Sequence, residues 1–186
     1  LTANQINLSV KPDEHTLIYG SSLELQDFYR AVVGLEKPDE GIVQFHGAWC
    51  AIPETFPYLE ALSMVDYIKL PLKLLGESTC DEAYIRKLTA HVGLCTKEDI
   101  AVKYFNAFDR CTLMLIMAAV TSPELLIINN CIKWLSDEEI DKFISYLEYI
   151  VQELRCTVLH FSEIKIRTRF YRSIYHLKNS ILIKEG

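Results

Sequence analysis

Four carboxylates and a pair of amides stand next to segments that read as strand ends. Glu24 and Asp27 follow the apolar run HTLIYG (His15–Gly20), Glu54 precedes an aromatic stretch, Asn129 and Asn130 follow LLII, and Glu163 follows TVLHFS. Carboxylates in such places suit general-base work on water, or a hard cation. Adjacent asparagines bring only neutral donors and acceptors. The stretch IYGSSLELQDFYR has the strand, glycine and helix order of a phosphate-holding turn, yet between Gly20 and Tyr29 it carries no lysine and no second glycine. A phosphate cradle needs converging backbone N–H groups and a cation. The charges this turn brings, Glu24 and Asp27, are negative.

Other chemistry is sparse. Six cysteines, Cys50, Cys80, Cys95, Cys111, Cys131 and Cys156, never form a CxxC pair. They read as reduced thiols and not as a zinc site or disulfide framework. The histidines are isolated, so no metal site and no cofactor is expected. A formal charge of −6 leaves no basic excess for nucleic acid. No run reaches the 18 or so apolar residues of a membrane span, and the first ten residues lack a basic start, so no signal peptide is expected. Half the residues are hydrophobic, enough for a sizeable core in 186 residues.

The elements that must place these groups follow from periodicity. His15–Gly20 is a short buried strand stopped by glycine. Residues 23–33 put Leu25, Phe28, Tyr29, Val32 and Val33 at helical spacing, with Gly34 as the stop. Residues 42–46 alternate as a strand, 64–75 are ambiguous around Pro71, and 81–92 form a helix closed by Gly93. Residues 112–120 read as a buried helix and 125–128 as a buried strand. Residues 136–154 are a helix opened by a Ser136–Glu139 capping box. Residues 157–161 are a further strand, and 173–177 with 180–183 a terminal hairpin. Strands alternating with helices imply an α/β fold with a mostly parallel sheet, whose ligands bind beyond the strands' carboxyl ends. Gly20, Asn129, Asn130, Ser162 and Glu163 should therefore converge.

In order and spacing these pieces resemble the ATP-binding cassette (ABC) ATPases, the nucleotide-binding subunits of ABC transporters, over nearly the whole chain. LIYG and VVGLEKPDEGIVQFHG resemble the family's strand, phosphate loop, helix and following turn; MAAVTSPELLIINN falls at its second strand motif, TVLHFSE at its switch region, and YHLKNSILIKEG at its close. The resemblance implies a P-loop-NTPase-like, mostly parallel sheet flanked by helices. With it come antiparallel strands near the N-terminus and a single domain, 1–186, with a helical subdomain at about 62–120.

At the family's functional positions the chemistry differs. Leu25 or Gln26 takes the lysine position, and Asn129 and Asn130 replace the magnesium-binding aspartate and the catalytic glutamate. Glu54 stands at the glutamine-loop position and Glu163 at that of the switch histidine. Residues 105–109 (FNAFD) replace the signature, and Ser136 replaces the aspartate of the loop that follows. Because both halves of a composite site are altered, the expectation is a chain that is not an enzyme: a catalytically inactive ABC subunit of structural or regulatory use. It would dock to a membrane permease or to another ABC subunit, as a homo- or heterodimer, through Glu54, Phe56, Tyr58, Leu59, Met64 and Tyr67. The stretch LSMVDYIKLPLKLLG resembles cassettes serving lipid or lipoprotein transport. The expected place is cytoplasmic, peripheral at the inner face of the membrane and not spanning it. Two alternatives stand beside this reading. One is a divergent ABC ATPase that binds or hydrolyses ATP with relocated residues, using Glu54 or Glu163 as base. The other is a soluble non-enzymatic dimer that binds another ligand, such as a cation, in the former nucleotide cleft.

Overall fold

The computed structural model describes residues 6–56, 62–76 and 81–185. Its strands are β1 (His15–Gly20), β2 (Trp49–Ile52), β3 (Leu125–Asn129), β4 (Thr157–Ser162), β5 (Ser173–Lys178) and β6 (Ile181–Lys184). Its helices are α1 (Ser22–Val32), α2 (Met64–Leu74), α3 (Glu82–His91), α4 (Ala107–Ala119) and α5 (Asp137–Leu154). The strands form one sheet in the order β2-β3-β4-β1-β5-β6. All neighbours are parallel except β5 and β6. The described chain divides into two compact units. One comprises Leu1–Glu54, Glu124–Lys133 and Arg155–Gly186; the other comprises Thr55–Pro123 and Trp134–Leu154.

The first unit holds the sheet. In α1 the buried residues Leu25, Tyr29 and Val32 recur at helical spacing and join Ile18, Ile127, Leu159 and Phe161 in one apolar cluster. Phe161 receives Phe28 and Tyr29 edge-on, at ring-centroid distances of 5.5 and 5.9 Å. Every residue of β4 is buried, as a central parallel strand requires. The β5–β6 hairpin turns through Asn179 and Ser180, both left-handed (φ 52° and 58°), which suits a two-residue turn matching the strand twist.

The second unit is helical, with α4 packed against α2, α3 and α5. Ser63 caps α2, accepting from the Asp66 N–H, and Asp81 caps α3 through the Tyr84 N–H. Pro71 lies inside α2 without ending it. On α5 the stripe Ile140, Phe143, Ile144, Leu147, Ile150 and Val151 is buried, and Ser136 and Glu139 form the expected box. His91 stacks on Tyr149, ring centroids 3.6 Å apart.

Two features differ from the sequence reading. Residues 42–46 form no strand, so among the described residues the antiparallel part of the sheet is the C-terminal hairpin and not a pair near the N-terminus. This segment lies between Gly41 and Gly47, both at positive φ, and Ile42 is 81% exposed. With Ile6, Leu8 and Phe28 it lines an open groove of about 500 Å³ instead of closing a ladder. Conversely, β2 is a strand that the sequence did not reveal. Its four residues, WCAI, are too few to show a period.

Candidate functional site

The register of the sheet brings the carboxyl ends of β3, β4 and β1 side by side. Asn129 pairs with Phe161, Tyr19 with Ser162, and Gly20 with Leu177 on β5. This is the edge at which the strand order reverses, the usual ligand position in an open parallel sheet. The first unit alone supplies its polar groups.

The turn after β1 is short. Gly20 ends the strand, Ser21 occupies the N-cap, and α1 begins at Ser22, so no loop lies between strand and helix. The glycine has a packing reason. A Cβ there would stand 2.5 Å from the Leu177 carbonyl oxygen. At the helix start the Glu24 carboxylate accepts from the Ser21 hydroxyl at 2.6 Å and from the Ser180 N–H at 3.0 Å. The Ser21 hydroxyl foremost, then the Ser180 N–H, hold this carboxyl below its ordinary range. A carboxylate in the first turn also meets the positive end of the helix dipole. Glu24 therefore ties α1 to the hairpin turn.

Four side chains of this edge form one network. The Lys133 ammonium and the Gln26 amide both donate to the Glu54 carboxylate. Asn129 Nδ2 donates to Gln26 Oε1 at 3.4 Å. Asn129 is 2% exposed, and its Oδ1 is buried with no hydrogen-bond partner among the described residues. Beside this network, Asn130 Nδ2 donates to Glu163 Oε1 at 2.6 Å, and Asn130 Oδ1 accepts from the Glu163 N–H at 3.0 Å. Asn130 holds a left-handed φ of 47°, which asparagine tolerates better than most residues. The expected convergence of β1, β3 and β4 is therefore present. Gln26, not Leu25, is the residue turned to the network; Leu25 is buried in the apolar cluster. The sequence reading missed Lys133. Its signal was a lysine a few residues beyond the asparagine pair, in the turn where its N–H donates to the Asn130 carbonyl.

The donors and acceptors can be set against the groups that ABC ATP-binding subunits use. Magnesium wants anionic oxygens. Asn129 and Asn130 offer neutral amides, Glu54 is engaged by Lys133 and Gln26, and Glu163 by Asn130. Among the described residues no group of three or more His, Cys, Asp or Glu is placed to hold a metal ion. This donor set does not fit magnesium. The network also contains one ammonium and two amide donors of the kind that bind phosphate, with Lys133 and Gln26 already donating to Glu54.

In the helical unit, the segment at the signature position is a helix start. Asn106 caps α4, accepting from the Asp109 N–H at 2.8 Å, while the Asp109 carboxylate accepts from the Asn106 N–H at 3.4 Å. Lys97 pairs with the same carboxylate. Residues 105–109 thus contain a capping box, and the helix begins five residues before the expected 112.

The residues expected to bind a partner divide between the two units. Met64 and Tyr67 are fully buried in the helical unit, and Phe56 lies against Tyr67 with ring centroids 5.1 Å apart. Glu54 belongs to the sheet unit and its network. Tyr58 and Leu59 lie outside the described residues. Among the described residues no helix is long and apolar enough to cross a membrane.

No protein-family model matches the sequence, and no curated protein does. Solved structures match its fold. A metal-chelate type ABC transporter in an inward-facing conformation superposes with a TM-score of 0.85 at 12% identity, covering 99% of this chain and 77% of that one. The Clostridium perfringens protein cbiO1, part of the ABC transporter complex cbiONQ, gives 0.80 at 14% identity, covering 96% and 78%. A dimeric ATP-binding cassette in a post-hydrolysis state, bound to ADP and Pi, gives 0.80 at 17%, covering 97% and 88%. These neighbours overturn the expectation that the chain is not an enzyme. One structure of this fold is an ATP-binding subunit of an ABC transporter and another is a post-hydrolysis state bound to ADP and Pi, and nothing in the structure shows inactivity. That expectation rested on which residues occupy the family's positions, and so left out a cation reaching the same edge from another position, as Lys133 does. The chain has the P-loop fold of the ATP-binding subunits of ABC transporters.

Proposed function

We propose that this chain is a divergent ATP-binding-cassette subunit of a transport assembly, holding nucleotide phosphate at the ends of β1 and β3 through relocated residues. The observation that carries the reading is the Lys133 ammonium, joined through Glu54 to the Gln26 and Asn129 amides at the edge where the strand order reverses. Lys133 supplies the cation that the turn after β1 lacks, and the Gln26 and Asn129 amides supply neutral donors. Charge-assisted hydrogen bonds of this kind contribute about 1.5–3 kcal/mol each. Glu163, exposed at the end of β4 and held by Asn130, is the carboxylate placed to orient a water.

Calorimetric titration of ATP, with and without magnesium, tests this. Micromolar binding that falls at least about tenfold in Lys133→Met supports it. Wild-type protein that takes no nucleotide at millimolar concentration overturns it. If phosphate release accompanies binding and is lost in Glu163→Gln, the chain is an ATPase with Glu163 as base.

The same reading includes docking to a membrane subunit or to a second cassette. Its support is the fold shared with one structure that is part of a transporter complex and another that is a dimer. Of the residues expected to dock, Tyr58 and Leu59 are the ones to test. Co-purification from detergent-solubilised membranes, lost in Tyr58→Asp, supports docking; a monomer that retains no membrane protein counts against it. A lipid or lipoprotein cargo rests on the resemblance of residues 62–76 alone.

A further inference from the structure

We propose that Glu54 is the site's own anion. Its carboxylate holds the donors a phosphate would use, so nucleotide binds only by displacing it, and Glu54 thereby restricts the site to polyphosphates. This rests on the phosphate reading above and adds to it a determinant of selectivity.

Glu54 receives both the Lys133 ammonium and the Gln26 amide, the cation and one of the two neutral donors of the network. The pair is mostly shielded, with side-chain exposures of 23% for Lys133 and 15% for Glu54, so salt screens it less than a surface pair. An incoming monophosphate brings a single anionic group, which gains little more from Lys133 and Gln26 than Glu54 already does. A diphosphate or triphosphate brings several charged oxygens and can engage Lys133 and Gln26 together, which a single carboxylate matches only in part. A second observation concerns Asn129. Asn129, 2% exposed, donates to Gln26 while its Oδ1 has no hydrogen-bond partner among the described residues. A buried amide oxygen in that condition is costly unless a donor reaches it. The donors of the site are satisfied by an internal carboxylate that stands in for an external anion, while the open Asn129 oxygen calls for a donor that a phosphate does not supply.

The test is calorimetric titration of ATP, ADP and AMP against the wild-type chain, Glu54→Gln, Glu54→Ala and the double variant Glu54→Gln/Lys133→Met, with thermal melts to confirm folding. Glu54→Gln keeps the size and the acceptor oxygen and removes the charge; Glu54→Ala replaces it where the glutamine variant does not fold. The expected result is at least about tenfold tighter ATP in the Glu54 variants, a new affinity for AMP, and loss of both gains in the double variant. If the wild type binds ATP and the Glu54 variants bind it no tighter, Glu54 is not a competitor, and the phosphate reading stands without it. If the wild type and both Glu54 variants all bind nothing, the phosphate reading itself has failed.

Discussion

Asn130 and Glu163 exchange two hydrogen bonds across the ends of β3 and β4, side chain to side chain at 2.6 Å and backbone N–H to side-chain oxygen at 3.0 Å. Asn130 also donates its backbone N–H to the Phe161 carbonyl at 2.7 Å and holds a left-handed φ of 47°. One side chain thus fixes the strand end, the following turn and the orientation of Glu163. Asn130→Ala removes both exchanged bonds and keeps the unfavourable backbone, at a cost of about 2–3 kcal/mol in urea unfolding. Asn130→Asp sets two carboxylates against each other, so at neutral pH it should cost at least as much as the alanine variant. An alanine variant within about 0.5 kcal/mol of wild type would show that the exchange holds nothing together.

Gly20 is needed for close approach of β1 to β5. A Cβ at this position would meet the Leu177 carbonyl oxygen at 2.5 Å, and that oxygen is backbone and cannot swing aside. Gly20→Ala should force the two strands apart and cost about 2–4 kcal/mol. Faster amide exchange in β5 than in β3 would locate the damage. Unchanged exchange in both strands would contradict it.

How much of this was legible depended on whether a signal was periodic or purely spatial. The stripe on α5, the Ser136–Glu139 box and the apolar strands β1, β3 and β4 were readable because burial imposes a period and a cap imposes residue types. The start of α4 was misplaced because its first turn, AFDR, carries no apolar stripe; its signal was the Asn106–Asp109 box, which local spacing encodes. Residues 42–46 alternate as a strand does, but a ladder needs a partner, and alternation alone does not supply one. The site was half legible. Gln26, Asn129, Asn130 and Glu163 follow from where strands end, whereas Glu54 meets Lys133 only through folding, since the two lie far apart in the chain. For the same reason Met64 and Tyr67 read as surface anchors and are core.

His160 makes stability depend on pH in a stated direction. It is fully buried on β4, its Nδ1 shares a hydrogen bond with the Tyr171 hydroxyl, and burial pushes its pKa down from 6.5 to about 3. The unfolded chain takes up a proton below pH 6.5 that the folded chain refuses. Stability is therefore full above 6.5 and falls as the pH drops toward 3, by up to about 1.4 kcal/mol per unit. His15, half-buried and lowered chiefly by desolvation, adds a smaller effect of the same sign. Glu14, Glu24 and Glu185 lie below their ordinary 4.5, so their contributions are lost only at lower pH. Urea unfolding between pH 7.5 and 5 isolates the histidines. His160→Leu should flatten most of that slope, and an unchanged slope would assign it elsewhere.

Among the described cysteines, the two at the extremes of exposure should differ in reactivity. Cys156 is completely buried, and desolvation pushes its thiol up to about 11, so almost no thiolate is present at neutral pH. Cys95 is exposed at the turn that follows α3. Under native conditions iodoacetamide should modify Cys95 within minutes and leave Cys156 untouched until the chain unfolds, as followed by peptide mass spectrometry. Equal labelling rates would mean that the buried entry to β4 opens locally far more often than its burial allows.

Asp109 carries two duties at the start of α4 that substitution can separate. Its carboxylate closes the capping box on the Asn106 N–H at 3.4 Å and also pairs with Lys97, with side-chain exposures of 10% for Asp109 and 31% for Lys97. Asp109→Asn keeps an acceptor for the Asn106 N–H but removes the charge facing Lys97. Asp109→Ala removes both. A cap contributes about 1 kcal/mol, and a part-buried pair more than the fraction of a kcal/mol typical of exposed ones. Asp109→Ala should therefore cost about 2–3 kcal/mol and Asp109→Asn about 1 kcal/mol less. Adding Lys97→Met to Asp109→Ala should recover part of the loss, because the ammonium no longer lacks a counter-charge. A double variant no more stable than Asp109→Ala would mean that Lys97 reaches solvent unaided, and that the helix start is held by its cap and not by the ion pair.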